Sequence, residues 1–178
     1  MRCFIGIMLP SELKERLENF KEKLKGLPMK CKFVERENFH ICLSFLGEKR
    51  EEEVRRISDH MDEIARSFEP FEVKIEELKL IPNEKFIRVI AFDVKDKEKM
   101  VRLQSEIRKR IGGDSKPPHV TICRVKHIEN KQAFLDEVSK LVNEGIGKME
   151  VSKIQLIKSE LSRRGPAYSI IHESSLSS

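Results

Sequence analysis

The chain has no tryptophan, no Cys-x-x-Cys pair, no long apolar run and no tight cluster of carboxylates beside His40 or His119. Each absence removes a class of protein. Without about 20 consecutive apolar residues, no segment reads as a membrane span. The opening MRCFIGIMLP is too short an apolar stretch for a signal peptide and runs directly into the charged SELKERLENFKEKLK. Cys3, Cys31, Cys42 and Cys123 offer neither a disulfide framework nor a standard zinc spacing, so they read as reduced thiols of the cytoplasm. With no carboxylates grouped beside the histidine motifs described below, no metal site and no cofactor is expected there.

What is present fits a soluble chain with a heavily charged surface. Hydrophobic residues make up 39% of the 178 and charged residues 37%, enough for one substantial domain or two small lobes sharing a core. That charge density, with tryptophan absent, suits a heat-adapted protein. The net charge of +5 and pI near 9.0 favour a polyanionic partner such as RNA.

Periodicity divides the chain into two similar runs. Residues 3–8 read as a strand, and Ser11 to Lys25 as a helix with Leu13, Leu17, Phe20 and Leu24 on one face. Gly26 and Pro28 end it. A brief strand over 31–35 precedes a longer one over 39–47, then a helix over 51–68 and an alternating strand over 71–81. The second run has a strand over 86–94, a helix over 97–111, a strand over 118–125, a helix over 131–144 and a strand over 149–160. A last strand, GPAYSII, follows, and residues 173–178 read as a frayed tail. Phe4 and His40 are 36 positions apart, Phe86 and His119 are 33. The repeat predicts an α+β domain spanning 1–178 with two pseudo-symmetric lobes, approximately 1–80 and 81–178. Each lobe is expected to be an antiparallel sheet with helices outside, its histidine strand facing a central cleft.

Those histidine strands carry the chemistry. Side chains alternate across a strand, so Phe39, Ile41, Leu43 and Phe45 should face the core while His40, Cys42 and Ser44 face away. Likewise Val120 and Ile122 should face the core, and His119, Thr121 and Cys123 the opposite side. One histidine in a strand is an ordinary structural residue; two at matching places in a repeat are a paired site. An alternative reading joins His40, Cys42, His119 and Cys123 into a Cys2His2 metal site, although the spacing matches no usual zinc pattern. His60, His127 and His172 read as surface residues, and Lys116 and Lys126 as ordinary solvated charge.

The sequence resembles the 2H phosphoesterase superfamily, named for two His-x-Thr/Ser motifs, and within it the RNA 2′,3′-cyclic phosphodiesterases, also called 2′-5′ RNA ligases. RCFIGIMLP, ENFHICLSFLGE, PPHVTICRVK and SELSRRGPAYSII carry the resemblance, which covers nearly the whole chain. It implies metal-independent opening of an RNA 2′,3′-cyclic phosphate to a 2′-phosphate, with His40 as proton donor and His119 as acceptor. It implies also ligation without ATP in reverse and RNA ends such as tRNA fragments as partners; a monomer is the default expectation. Thr121 and the residue at position 42 would hold the phosphate, as would Arg124, which follows the second motif. Two departures stand out. Cys42 replaces the family's threonine, and a thiol is a longer, weaker donor than a hydroxyl. Strict alternation puts Arg124 on the core side unless a bulge swings it back. The Cys42 departure also leaves open a catalytically idle RNA-binding module.

Overall fold

Leu13, Leu17, Phe20 and Leu24 recur along one face of a helix and all four are buried, which is the reason Ser11–Lys25 is helical and where it packs. Pro10 precedes the first turn and Gly26 caps the last. The computed structural model describes residues 1–177, and the same logic holds along them. The order is β1 (Arg2–Met8), α1 (Ser11–Lys25), β2 (Met29–Phe33), a 3₁₀ turn at Arg36–Asn38, β3 (His40–Glu48), α2 (Glu51–Arg66) and β4 (Phe71–Pro82). It continues with β5 (Ile87–Lys95), α3 (Glu98–Arg110), β6 (His119–Ile128), α4 (Lys131–Ser139), β7 (Gly145–Val151), β8 (Lys153–Ser162) and β9 (Gly165–Ser175). In α2, Ile57, Met61 and Ile64 are buried, and Glu51, Glu52 and Glu53 complement the positive end of the helix dipole.

The strands form two antiparallel sheets, β3-β1-β8-β9 and β2-β6-β5-β4-β7, in an α+β architecture. A boundary near residue 80 does not separate them. β4 hairpins directly onto β5 and so belongs to the second sheet, while β8 returns to pair with β1 in the first and β9 pairs with β8. The repeat is visible in the pairing: β3-β1-β8-β9 matches β6-β5-β4-β7, with β2 added outside β6. Each half lends strands to the other's sheet, because a short antiparallel hairpin such as β4–β5 requires adjacency. The two halves share one hydrophobic core, reaching from Ile5 and Phe39 to Phe92, Val120 and Leu156. Fully burying each such side chain contributes about 1.5–3 kcal/mol.

Four expectations at the C-terminal end are corrected. Residues 149–160 are two strands in different sheets, broken at the exposed Ser152, where the chain crosses from β7 to β8. α4 ends at Ser139 rather than continuing to 144, since the Leu78 amide takes the Val142 carbonyl at 3.0 Å. Residues 173–177 are not frayed. Ser174 and Leu176 are buried, and Ser174 Oγ donates to Asp62 Oδ1 at 2.6 Å. His172 meets the same carboxylate oxygen at 2.8 Å, so it is a clasp between β9 and α2 rather than a free surface residue. Ser178 lies outside the described residues.

Candidate active site

His40 opens β3 and His119 opens β6, and both rings are held the same way. His40 Nδ1–H donates to the Asn38 carbonyl at 2.7 Å, and His119 Nδ1–H donates to the Pro117 carbonyl at 2.9 Å. In each case the acceptor lies two residues upstream. A carbonyl only accepts, so both neutral imidazoles carry their proton on Nδ1 and leave the Nε2 lone pair free. Phe4 and Tyr168 pack around the His40 ring, with centroids 4.9 and 5.3 Å away. Gly6 makes room for this group: a Cβ there would lie 2.7 Å from the Ile41 carbonyl and 3.1 Å from the Phe4 ring.

Both histidine strands then depart from strict alternation at the same place. Ile5 pairs with Ser44 but Gly6 with Cys42, leaving Leu43 without a partner. Ile90 pairs with Cys123 but Ala91 with Thr121, leaving Ile122 without one. Each strand has a β-bulge three residues after its histidine, and each shows the same burial sequence over its first seven residues. Beyond the bulge, inward and outward exchange. Ser44, expected beside the imidazole, is buried and donates to the Gly112 carbonyl at 2.8 Å. Phe45, expected in the core, is 39% exposed and lies under the Arg2 guanidinium. Cys123, expected with His119 and Thr121, is buried in the core beside Cys31. Arg124 is carried to the exposed side, where its charge acts on His40 and Tyr168. The structure therefore brings His40, Cys42, His119, Thr121 and Arg124 to one side of their strands. It does not assemble the Cys2His2 set, because Cys123 points the other way. Phe45 and Arg124 occupy equivalent places in the two halves.

The duplication is visible to comparison as well. The profile of the LigT like Phosphoesterase family matches residues 7–91 and again residues 93–168, one histidine motif in each stretch. The chain belongs to the LigT-like phosphoesterase family. Among its relatives is the RNA 2′,3′-cyclic phosphodiesterase of Methanocaldococcus jannaschii, 35% identical over 181 residues and covering 97% of this chain and 99% of the relative. The protein of the same name from Methanothermobacter thermautotrophicus is 32% identical, with 94% and 95% covered. A crystal structure from Thermus thermophilus superposes with a TM-score of 0.83 at 25% identity, covering 99% and 98% of the two chains.

The electrostatics of this phosphoesterase site follow chiefly from burial. Burial pushes the His40 imidazole below the ordinary histidine range, and the nearby charges of His119 and Arg124 push it the same way, against the Asn38 carbonyl. Burial raises the Cys42 thiol to about 11, so it stays an S–H at neutral pH and offers a weak donor rather than a thiolate. The Tyr168 phenol is also raised, chiefly by burial. Tyr168 and Phe4 are parts of the site that pattern reading missed. Tyr168 is the only tyrosine of the chain, and it sits two residues past a Gly-Pro turn flanked by arginines, the one signal that could have marked it. Gln104 of α3 was also missed. Its buried amide donates to the Leu43 carbonyl at 3.2 Å and to the Lys116 carbonyl at 3.0 Å, bridging the bulge of β3 and the segment entering β6. Lys116 itself is exposed and pairs with Asp114 at 3.7 Å. No helix among the described residues is long and apolar enough to cross a membrane.

Proposed function

We propose that the protein hydrolyses RNA ends carrying a 2′,3′-cyclic phosphate, leaving a 2′-phosphate and a free 3′-hydroxyl. The observation that carries this reading is the matched pair of imidazoles, each oriented through Nδ1 with Nε2 free. The names of the relatives agree with the substrate class. Opening the ring needs a base for water on one side of phosphorus and an acid for the departing oxygen on the other, roughly in line. His119 Nε2 takes the proton of the attacking water as the new P–O bond forms. The bond from phosphorus to the ribose 3′ oxygen breaks, and the Nε2–H of protonated His40 supplies that oxygen's proton. Burial favours neutral His40 in the free protein; the arriving phosphate anion favours its charged form and so loads the acid.

Charge accumulates on the non-bridging oxygens, where Thr121 Oγ–H, the Cys42 thiol and the Arg124 guanidinium are the donors at hand. Acid, base and donors are all supplied by the chain, and the scheme calls on no metal and no cofactor. With a ribose 5′-hydroxyl in place of water, the same exchange joins two ends through a 2′-5′ linkage. One phosphodiester is consumed as one forms, so ATP has no role. RNA fragments with cyclic phosphate ends, tRNA halves among them, are the partners this chemistry fits, and a monomer in the cytoplasm suffices for it.

The test is incubation with an oligonucleotide ending in a 2′,3′-cyclic phosphate in excess EDTA. The expected result is undiminished turnover to the 2′-phosphate isomer. A 3′-phosphate product would reverse the leaving oxygen. Activity lost to EDTA and restored by zinc would overturn the metal-free scheme.

A further inference from the structure

α3 carries five basic residues against two acidic ones, so it supplies much of the chain's net charge of +5. Met100, Leu103, Gln104 and Ile107 take its buried face, which turns that charge outward. Lys99, Arg102 and Lys109 share one outer face and run along a groove of about 680 Å³ between α3 and the end of α2. From Lys99 to Lys109 the row extends about 15 Å at the α-helical rise. Phe68, half-buried just past α2, adds an aromatic ring to the lining. Glu69 and Glu106 also line the groove, but with Arg110 there are four cations against these two carboxylates. Lys109 lies 3.8 Å from Glu106, and Arg110 pairs with Glu63. Lys99 and Arg102 are exposed and have no carboxylate ion-pair partner among the described residues. Among the described residues, none from either histidine strand lines the groove. Its Arg110 end is nonetheless tied to the sheet that carries His40. Ser44 of β3 donates at 2.8 Å to the carbonyl of Gly112, two residues beyond Arg110.

We propose that the α2–α3 groove is a second RNA site, separate from the histidine pair, which holds the body of a single strand by its backbone. A row of cations about 15 Å long outreaches any one phosphate and suits a strand, whose charges recur along its length. A basic groove with an aromatic side chain is the composition that binds single strands without reading their sequence. Lys99 and Arg102 are the cations free to meet phosphodiesters, and Phe68 offers its ring to a base. The choice of RNA rests on the proposed reaction, whose substrate is the end of a longer strand. The groove thus favours a long RNA over a dinucleotide with the same end, whatever the sequence.

Two measurements test the groove. The first is the fluorescence anisotropy of a labelled single-stranded RNA of roughly 16 nucleotides ending in a 3′-hydroxyl, so that binding is read without turnover. Lys99→Gln combined with Arg102→Gln should weaken binding about tenfold at low salt. The slope of log affinity against log salt should become shallower by about 1.4, the single-strand value for two phosphate contacts. Lys23→Gln combined with Lys25→Gln removes the same charge from the last turn of α1 and should change affinity by less than about twofold. The second compares kcat/KM on the same RNA ending in a 2′,3′-cyclic phosphate and on a dinucleotide with that end. The groove variant should lose about tenfold through KM on the long RNA and match wild type on the dinucleotide. Full affinity in the groove variant, equal weakening by both double variants, or equal losses on both substrates would overturn the site. The expected binding pattern in a protein that turns over neither substrate would keep the groove and refute the phosphodiesterase.

Discussion

His40 and His119 are the same residue in the same local frame, yet their surroundings ask different things of them. Around His40, Phe4 and Tyr168 exclude water, and burial holds its pKa below the ordinary range. An acid in that state is charged only at low pH in the free enzyme, so kcat/KM should fall as pH rises through the depressed pKa. The bound phosphate anion favours the charged imidazole and lifts that pKa in the complex. The alkaline limb of kcat should therefore lie at higher pH than that of kcat/KM. Coincident alkaline limbs would mean that the group responsible does not face the phosphate. Cys42 is a second residue-scale test. Its thiol remains protonated, so Cys42→Thr exchanges a weak donor for a stronger one at the developing charge. A hydrogen bond to a charged group is worth about 1.5–3 kcal/mol and the thiol supplies part of that, so kcat/KM should rise roughly threefold to thirtyfold. Thr121→Ala should cost more than Cys42→Ala. If Cys42→Ala and Cys42→Thr both match wild type in turnover while stability shifts, Cys42 is packing alone.

At the scale of the element, the bulge in each histidine strand decides what the site contains. Alternation alone fixes His40, Cys42, His119 and Thr121 correctly, because all four precede the bulge. It fails for Ser44, Phe45, Cys123 and Arg124, because all four follow the unpaired Leu43 or Ile122. A bulge depends on the strand's partner across the ladder, and the residues flanking Leu43 and Ile122 pair with β1 and β5, which are distant in the sequence. What could be read locally was read; what depends on tertiary pairing was not. The bulge in β3 frees the Leu43 carbonyl, and Gln104 and Ser115 donate to it at 3.2 and 3.1 Å. Gln104 also holds the Lys116 carbonyl, three residues before His119, so one side chain ties the spacing of the two histidine strands. Gly113 lets Ser44 fit beneath it, since its φ of +95° suits glycine and a Cβ there would sit 2.2 Å from Ser44 Oγ. Gln104→Leu removes both donors and should cost about 1–3 kcal/mol of stability in urea titration. Because misplacing a reacting group by about 1 Å can cost up to 10²-fold, kcat should fall about tenfold or more with KM little changed. A destabilised variant with wild-type kcat would limit Gln104 to holding the fold.

The whole molecule is two copies of one unit that exchange strands across a common core. The helices and strands were legible from periodicity, and their order revealed the repeat. The exchange was not, because a hydrophobic alternation states which face is buried and never which sheet a strand joins. Hence the strands on either side of residue 80 are shared between the two sheets. In the proposed reaction neither half holds a complete site: His40 comes from one and His119 from the other, and the two would act on one phosphorus. That joint action is measured most directly by a double-mutant cycle on an oligonucleotide ending in a 2′,3′-cyclic phosphate, in EDTA. His40→Ala and His119→Ala should each lose roughly 10²–10⁴-fold in kcat, the usual reach of acid–base catalysis. The double variant should lose far less than the product of the two, because groups that act as a unit are not additive. A single variant near wild-type turnover, or a double variant whose loss equals the product, would contradict a paired-imidazole mechanism.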